Sequence, residues 1–166
     1  AELADLVAEK KVDYLPREYR TGDLKGIFIA IAATDSNIIN RRVAAEARKL
    51  AALVNVVDDA AESDFIAPAV SKRGEVTIAV STSGQSPALA RKLRMKLEEE
   101  YGEEYGKLAR LIGEVRAEVR KQKITVDGEG WQAALDLEKL LNLVKKGDNA
   151  KVKSTLLKNL QARQKK

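Results

Sequence analysis

Two apolar runs, Ile29-Ala30-Ile31-Ala32-Ala33 and Val54-Asn55-Val56-Val57, pass directly into polar residues that a buried strand does not need. These are Thr34-Asp35 after the first run and Asp58-Asp59 after the second. In an open parallel sheet, ligands bind beyond the carboxyl ends of the strands, so Thr34, Asp35, Asn55, Asp58 and Asp59 are expected to line one crevice. The residues between the runs carry a helical pattern. Asp35 or Ser36 suits the N-cap, and Ile39, Val43, Ala47 and Leu50 share one face of a helix running to about Leu53. A strand from Ile27 to Ala33, this helix and a strand from Val54 to Val57 make a βαβ unit. Strands this continuously apolar predict a parallel sheet covered on both faces.

Upstream, Leu3, Leu6 and Val7 lie at helical spacing, and Val12-Asp13-Tyr14-Leu15 reads as a short strand ended by Pro16. Arg17 to Lys25 is polar and turn-like. Its Thr21-Gly22-Asp23-Leu24-Lys25-Gly26 segment precedes a strand instead of following one, which argues against a phosphate loop.

The pattern changes after Asp64. Phe65 to Val70 and Glu75 to Ser81 read as two strands joined by Ser71-Lys72-Arg73-Gly74, a hairpin whose Val76, Ile78 and Val80 form one apolar face. A lone hairpin is marginal in water, so that face needs a second subunit or the helices that follow. Ser86-Pro87 opens a helix, with Ser86 as N-cap and Pro87 at its first position. Leu89, Leu93 and Leu97 begin a stripe that Tyr101, Tyr105, Leu108, Ile112, Val115 and Val119 continue, with Gly102 and Gly106 as candidate breaks. Asp127-Gly128-Glu129-Gly130 reads as a loop, and Trp131 to Val144 and Ala150 to Ala162 as two further helices.

With 166 residues, 45% of them hydrophobic, the chain is globular, and its longest apolar run is far shorter than the roughly 20 residues that span a bilayer. No signal-peptide pattern opens it, so a cytosolic protein without a membrane partner is expected. There is no cysteine and no histidine. Any general acid or base is therefore Asp, Glu, Lys or Tyr, thiol nucleophiles and thiolate metal sites are excluded, and any metal held by the protein would meet oxygen ligands; no metal-binding residue is singled out. The net charge of +5 belongs to the tail: Lys145 to Lys166 hold eight Lys/Arg and one acid, which leaves the first 144 residues at −2. A lysine-rich tail with no aromatic residue reads as a solvated face and not as a nucleic-acid platform, because base stacking needs aromatic surfaces.

Three strand candidates precede Asp58, fewer than a complete βαβαβ sheet uses, and no glycine fingerprint G-x-G-x-x-G follows any of them. A leading βαβ segment before Ala1, with that glycine turn, is the expectation that follows.

Five motifs fall in an order and spacing that resemble one family. They are Ile31-Ala32-Ala33-Thr34-Asp35, Asn40-Arg41-Arg42-Val43, Asn55-Val56-Val57-Asp58-Asp59, Asp64-Phe65-Ile66-Ala67-Pro68-Ala69 and Ser86-Pro87-Ala88-Leu89-Ala90-Arg91. They resemble the sirohaem synthase family of precorrin-2 dehydrogenases and sirohydrochlorin ferrochelatases, over about Leu6 to Gln122. The resemblance implies oxidation of precorrin-2 to sirohydrochlorin with NAD, in some members followed by insertion of ferrous iron, in a homodimer. It implies an α/β fold with a partial Rossmann-like parallel sheet over residues 1–64. A small strand-rich dimerisation region follows over 65–86, then a C-terminal all-helical domain with a basic tail over 87–166.

On this reading Asp58 is the catalytic residue. Dehydrogenation delivers a hydride to the nicotinamide and a proton to a base, iron insertion strips protons from pyrrole nitrogens, and one carboxylate serves both. Without the resemblance, sequence position alone favours reading Asp58 as a turn or capping aspartate. Thr34, Asp35, Asn55 and Val56 are the candidate cofactor contacts. Thr34 and Asp35 double as helix caps, and Asn55 either orients the nicotinamide or bonds a neighbouring loop. Asp59, Thr82, Ser83, Gly84, Ser86 and Arg91 are the candidate substrate contacts, the last five because hydroxyls and free N–H groups at a helix N-terminus suit an anion and precorrin-2 carries eight carboxylates. Family members often have two glycines where this chain has Ser83-Gly84. Arg41, Arg42, Lys72 and Arg73 read as solvated, Tyr101 and Tyr105 as core, and Trp131 as a helix anchor. The rival reading is a dimerisation and docking module without catalysis of its own, which predicts no useful NAD binding.

Overall fold

The structure, a computed structural model, describes residues 2–164. Ala1, included in the first helical reading, and Lys165 and Lys166, counted in the basic tail, lie outside the described residues. The chain divides into two compact units, Ala1–Ala67 and Pro68–Lys166, and the hairpin belongs with the helices of the second.

In the first unit a short helix, α1 (Glu2–Ala8), is followed by β1 (Ile29–Ala32), α2 (Asn37–Lys49) and β2 (Leu53–Val56). The two strands are parallel, with Ile29 opposite Leu53 and Ala32 opposite Val56, so the βαβ unit forms as its pattern predicts. Ala30 and Ala32 of β1 and Val54 and Val56 of β2 meet Val43, Ala44 and Ala47 of α2 in one buried cluster. The helix ends sooner than its pattern suggests. Leu50 caps α2, Ala51 turns into the left-handed region (φ +55°), and Leu50 is 46% exposed instead of buried.

Two further expectations fail. Val12 to Leu15 is not a strand: it pairs with no described strand, and Val12, Tyr14 and Leu15 are all exposed, so extension buries no apolar face. The sheet is covered on one face, by α2. On the other face Ile29 and Ile31 are 51% and 61% exposed among the described residues.

The polar segment before β1 is anchored to α2. The Tyr19 hydroxyl donates to Glu46 Oε2 at 2.6 Å, and the backbone N–H of Gly22 donates to Glu46 Oε1 at 2.8 Å. Arg17 grips Asp23 with both terminal nitrogens, at 2.8 and 2.7 Å. Tyr19 and Leu24 also pack on the apolar cluster, so this turn-like stretch is part of the unit's structure.

In the second unit the hairpin is β3 (Ala69–Arg73) and β4 (Val76–Val80), antiparallel, with Arg73 opposite Val76. The turn is therefore Gly74-Glu75. Ser71 to Arg73, expected in the loop, extend β3, because Ala69, Ser71 and Arg73 continue the inward alternation and Ser71 is buried. Gly74 lies in the left-handed region that such a turn requires (φ +57°).

The inward face is covered by α3 (Pro87–Glu100) and the start of α4 (Glu103–Lys121), so the helices that follow supply the partner surface. Gly102 separates the two helices, whereas Gly106 sits inside α4 where the hairpin turn presses closest. On α3, Ala90 is buried, but Leu89 and Leu93, expected on the buried stripe, are 50% and 41% exposed. The stripe becomes a true core on α4, where Leu108, Leu111, Val115 and Val119 are buried.

Three helices close that core: α5 (Gly128–Ala134), α6 (Leu137–Lys145) and α7 (Asn149–Gln161). The single helix expected from Trp131 to Val144 is split, and the loop expected at 127–130 is the start of α5. Asp127 and Asp136 each accept a backbone N–H three residues on, from Gly130 and Lys139, so each caps a new helix.

Candidate active site

The β1–α2 connection is organised by one buried side chain. The Asn40 amide, 3% exposed, accepts from the Thr34 N–H at 3.1 Å and from the Thr34 hydroxyl at 2.8 Å, and donates to the Thr34 carbonyl at 3.0 Å. Ser36, not Asp35, is the N-cap, accepting from Ile39 N–H. The Thr34 hydroxyl also accepts from the Ser36 N–H at 3.2 Å. Thr34 is thus committed to shaping the strand end, and Asp35 is left exposed beside it with its carboxylate unbonded among the described residues.

At the end of β2, Val57 N–H donates to the Ala32 carbonyl at 2.9 Å, which keeps the two strand ends together. The chain then turns sharply. Asp59 N–H returns to the Val56 carbonyl at 3.1 Å, with Asp58 in the left-handed region between them (φ +62°). A non-glycine residue held there is uncommon, although aspartate tolerates it better than most.

The two aspartates divide the available roles. Asp59 Oδ1 accepts from the Glu62 N–H at 3.2 Å and stabilises the following turn. The Asp58 side chain is exposed and has no hydrogen bond or ion pair among the described residues, while its backbone occupies the left-handed position of the turn.

The outer edge of β2 is closed by side chains. Val54 N–H donates to Asp64 Oδ2 at 2.8 Å, Asp64 N–H to the Val54 carbonyl at 2.7 Å, and Val56 N–H to Ser63 Oγ at 2.8 Å. Asn55, 8% exposed, donates to the Phe65 carbonyl at 2.8 Å, so of its two expected uses the structure displays the loop contact. Val56 is 4% exposed and supports the strand end from within.

In the second unit, Thr82 Oγ1 accepts from Ser86 N–H at 3.0 Å, and Ser86 Oγ caps α3 by accepting from Leu89 N–H at 3.2 Å. Ser83 and Gly84 both have positive φ, +52° and +80°. Arg91 lies exposed on the first turns of α3, beside a shallow groove of about 420 Å³ that it lines with Pro87, Ala88, Lys92 and Met95.

Asn40, Ser63 and Asp64 are structural supports of the site to which the sequence reading gave no role. Asn40 had a signal: it precedes Val43, Ala44 and Ala47 at helical spacing, and a polar residue on the buried stripe of a helix needs a partner. No group of three or more acidic side chains gathers to hold a metal among the described residues.

Residues 2–69 match a family model described as "Putative NAD(P)-binding", and residues 73–100 match one described as "Sirohaem biosynthesis protein central". The siroheme synthase of Chromobacterium violaceum is 38% identical over 163 residues, covering 97% of this chain and 34% of that protein. The chain belongs to the sirohaem synthase family. The siroheme synthase of Azotobacter vinelandii is 42% identical over 121 residues, 73% of this chain and 26% of that protein. The chain therefore spans about a third of the length of the curated relatives it matches.

Among solved structures, SirC, a precorrin-2 dehydrogenase, superposes with a TM-score of 0.65 at 21% identity, over 98% of this chain and 77% of that one. That likeness establishes the α/β fold with its parallel pair, hairpin and helical end as one shared with SirC. Within the sirohaem synthase family frame, the NAD(P)-binding match contains both strand ends and Asp58, and the central match contains the 82–86 loop and all of α3. No described helix is long and apolar enough to cross a membrane.

Proposed function

We propose that the chain contributes the catalytic carboxylate and one side of the cofactor crevice to an NAD-dependent precorrin-2 dehydrogenase that forms sirohydrochlorin. The observation that carries this reading is Asp58: exposed, unbonded, held at positive φ, and placed at the carboxyl end of β2 inside the NAD(P)-binding match. Backbone outliers cluster at active sites, where the surrounding structure over-determines them. Here the β-turn and the Ser63 bonds do so.

The cofactor's fit is partial and specific. The paired strand ends, with Asp35 and Asp58 exposed beyond them, form the polar rim that a nicotinamide needs at a sheet's carboxyl edge, whereas neither described strand is followed by a glycine-rich turn for a pyrophosphate. NAD, when bound, accepts the hydride. The proton lost with it passes to the Asp58 carboxylate, so precorrin-2 gives up one hydride and one proton in total. Thr34, Asn55 and Val56 hold the rim in shape, and Asp35 faces the nucleotide from it.

Asp59 borders the catalytic turn, while Thr82, Ser83, Gly84, Ser86 and Arg91 recognise substrate carboxylates through the α3 N-terminus and its cation. Insertion of ferrous iron, as a substrate, into sirohydrochlorin uses the same carboxylate to take pyrrole protons. In this proposal residues 1–64 serve the cofactor, 65–86 a homodimer contact, and 87–166 the substrate side, in a cytosolic protein.

The whole protein, supplied with precorrin-2 and NAD, is expected to produce NADH and sirohydrochlorin in equal amounts. NAD binding without any precorrin-2-dependent NADH would overturn the dehydrogenase reading. Failure to bind NAD at all would favour the docking module.

A further inference from the structure

The Ser63 hydroxyl touches both ends of the turn that carries Asp58. Its oxygen accepts from Val56 N–H at 2.8 Å, and its proton is shared between the Asp59 carbonyl at 2.7 Å and the Val56 carbonyl at 3.2 Å. Val56 and Asp59 are the first and last residues of that turn, already joined by their own backbone bond. One hydroxyl therefore staples a four-residue loop whose third residue is held at φ +62°.

Apart from the Val57 N–H bond to the Ala32 carbonyl at 2.9 Å, which ties the tip's first residue to β1, nothing else among the described residues hydrogen-bonds the tip of the loop. The Asp58 side chain makes no hydrogen bond or ion pair among the described residues, and Asp59 uses its carboxylate on Glu62 N–H, away from the tip. The direction in which the Asp58 carboxylate points is thus set by the turn's backbone, which Val57 ties to β1 on its entry side and Ser63 fastens across its two ends. Ser63 is itself fixed, because the next residue, Asp64, pairs with Val54 through both its N–H and its carboxylate.

We infer that Ser63 is a positioning residue for the reaction. It does not touch substrate or cofactor; it holds Asp58 in the geometry from which it takes the proton. This inference rests on the dehydrogenase reading above. It separates Ser63 from Asp64, which closes the β2 edge at Val54, two residues before the turn begins, and serves the strand itself.

The test compares Ser63→Ala and Ser63→Thr in the whole protein, with precorrin-2 and NAD as substrates. Ser63→Ala is expected to lower kcat by about tenfold to a hundredfold with the KM for each substrate within about twofold, since misplacing a catalytic group by an ångström costs rate before it costs binding. Ser63→Thr keeps the hydroxyl and should recover most of that loss. Amide exchange supplies a readout independent of turnover: Val56 and Asp59 N–H should exchange faster in Ser63→Ala, with the α2 amides unchanged. Where the alanine variant fails to fold, Ser63→Cys keeps the volume, weakens both bonds and takes its place.

Faster exchange at Val56 and Asp59 with unchanged kcat overturns the positioning role and leaves the dehydrogenase reading intact. So does a KM increase with kcat preserved, or a threonine variant as slow as the alanine one. A wild-type protein that binds NAD yet never oxidises precorrin-2 overturns the dehydrogenase reading, and the positioning role falls with it.

Discussion

Asn40 holds Thr34 by three hydrogen bonds, to its N–H, its hydroxyl and its carbonyl, from a position on α2 that is 3% exposed. A side-chain amide can both accept and donate at once, and this one does so to a single residue at the exit of β1. The strand end is therefore built from the helix beneath it.

Replacing that amide by a near-isosteric apolar group removes all three bonds. Asn40→Leu is expected to destabilise the first unit by about 2 kcal/mol, and Thr34→Val, which keeps both backbone bonds to Asn40 and loses the hydroxyl's bonds to Asn40 and Ser36, by about 1 kcal/mol. Urea unfolding of the two variants checks the order. Equal losses would show that the backbone bonds to Asn40 contribute little.

Two glycines of α4 should respond in opposite directions. A Cβ on Gly106 would sit 2.2 Å from the Arg73 carbonyl oxygen and 2.6 Å from its carbon, both backbone atoms of the hairpin. Gly106→Ala is thus expected to cost about 2 kcal/mol or more by forcing the turn off the helix. Gly113 meets nothing within 4 Å, and Gly113→Ala should stabilise the helix by about 0.5–1 kcal/mol. Thermal denaturation distinguishes them.

The loop before α3 offers a third case. Ser83 adopts φ +52° and donates its N–H to Ser81 Oγ at 3.1 Å, a bond that any residue there retains. Ser83→Gly removes the left-handed penalty of about 1–2 kcal/mol, offset in part by the freer unfolded chain. Net stability should rise by up to about 1 kcal/mol in the same denaturation assay, and a loss would mean that the Ser83 side chain holds the loop.

The anchor at Tyr19 sets two limits of pH. Desolvation first, then its bond to Glu46, pushes the Tyr19 hydroxyl up to about 12 from an ordinary value of 10.0. A group raised in the folded state stabilises below its unfolded value, so this contribution is complete below pH 10 and lost as pH rises toward 12. The Arg17 fork first, then the Arg20 N–H, holds Asp23 down at about 2 from 3.8. Its contribution is complete above pH 4 and lost as pH falls toward 2. In Tyr19→Phe, stability measured against pH should lose part of its alkaline fall and also part of its acid limb, because the same hydroxyl holds Glu46 below the ordinary carboxylate range. Asp23→Asn should lose part of the acid limb and keep most of the alkaline fall.

The βαβ unit, the caps Ser36 and Ser86 and the hairpin were legible because each rests on a local signal: period, capping hydroxyl, turn glycine. What escaped depends on contacts distant in sequence. The apolar runs promised a sheet covered twice, yet Ile29 and Ile31 are open on the face away from α2. Side chains of Ser63 and Asp64 replace a neighbouring strand along β2, and no periodicity encodes that substitution. The split at Leu135 and Asp136 did have a local cue, an aspartate placed to cap Lys139 N–H, which the apolar stripe outweighed. At the candidate site, Asp58 is singled out by its position after a strand and by family resemblance. Its separation from Asp59 required the structure, which gives one a turn to stabilise and leaves the other unbonded.

Asp58→Asn tests the central claim most directly, because asparagine tolerates the left-handed backbone at this position and removes only the carboxylate. With precorrin-2 and NAD, the variant of the whole protein is expected to retain wild-type stability and NAD affinity while kcat falls by about 10²–10⁴-fold. Full dehydrogenase turnover in that variant would contradict the assignment of Asp58 as the base.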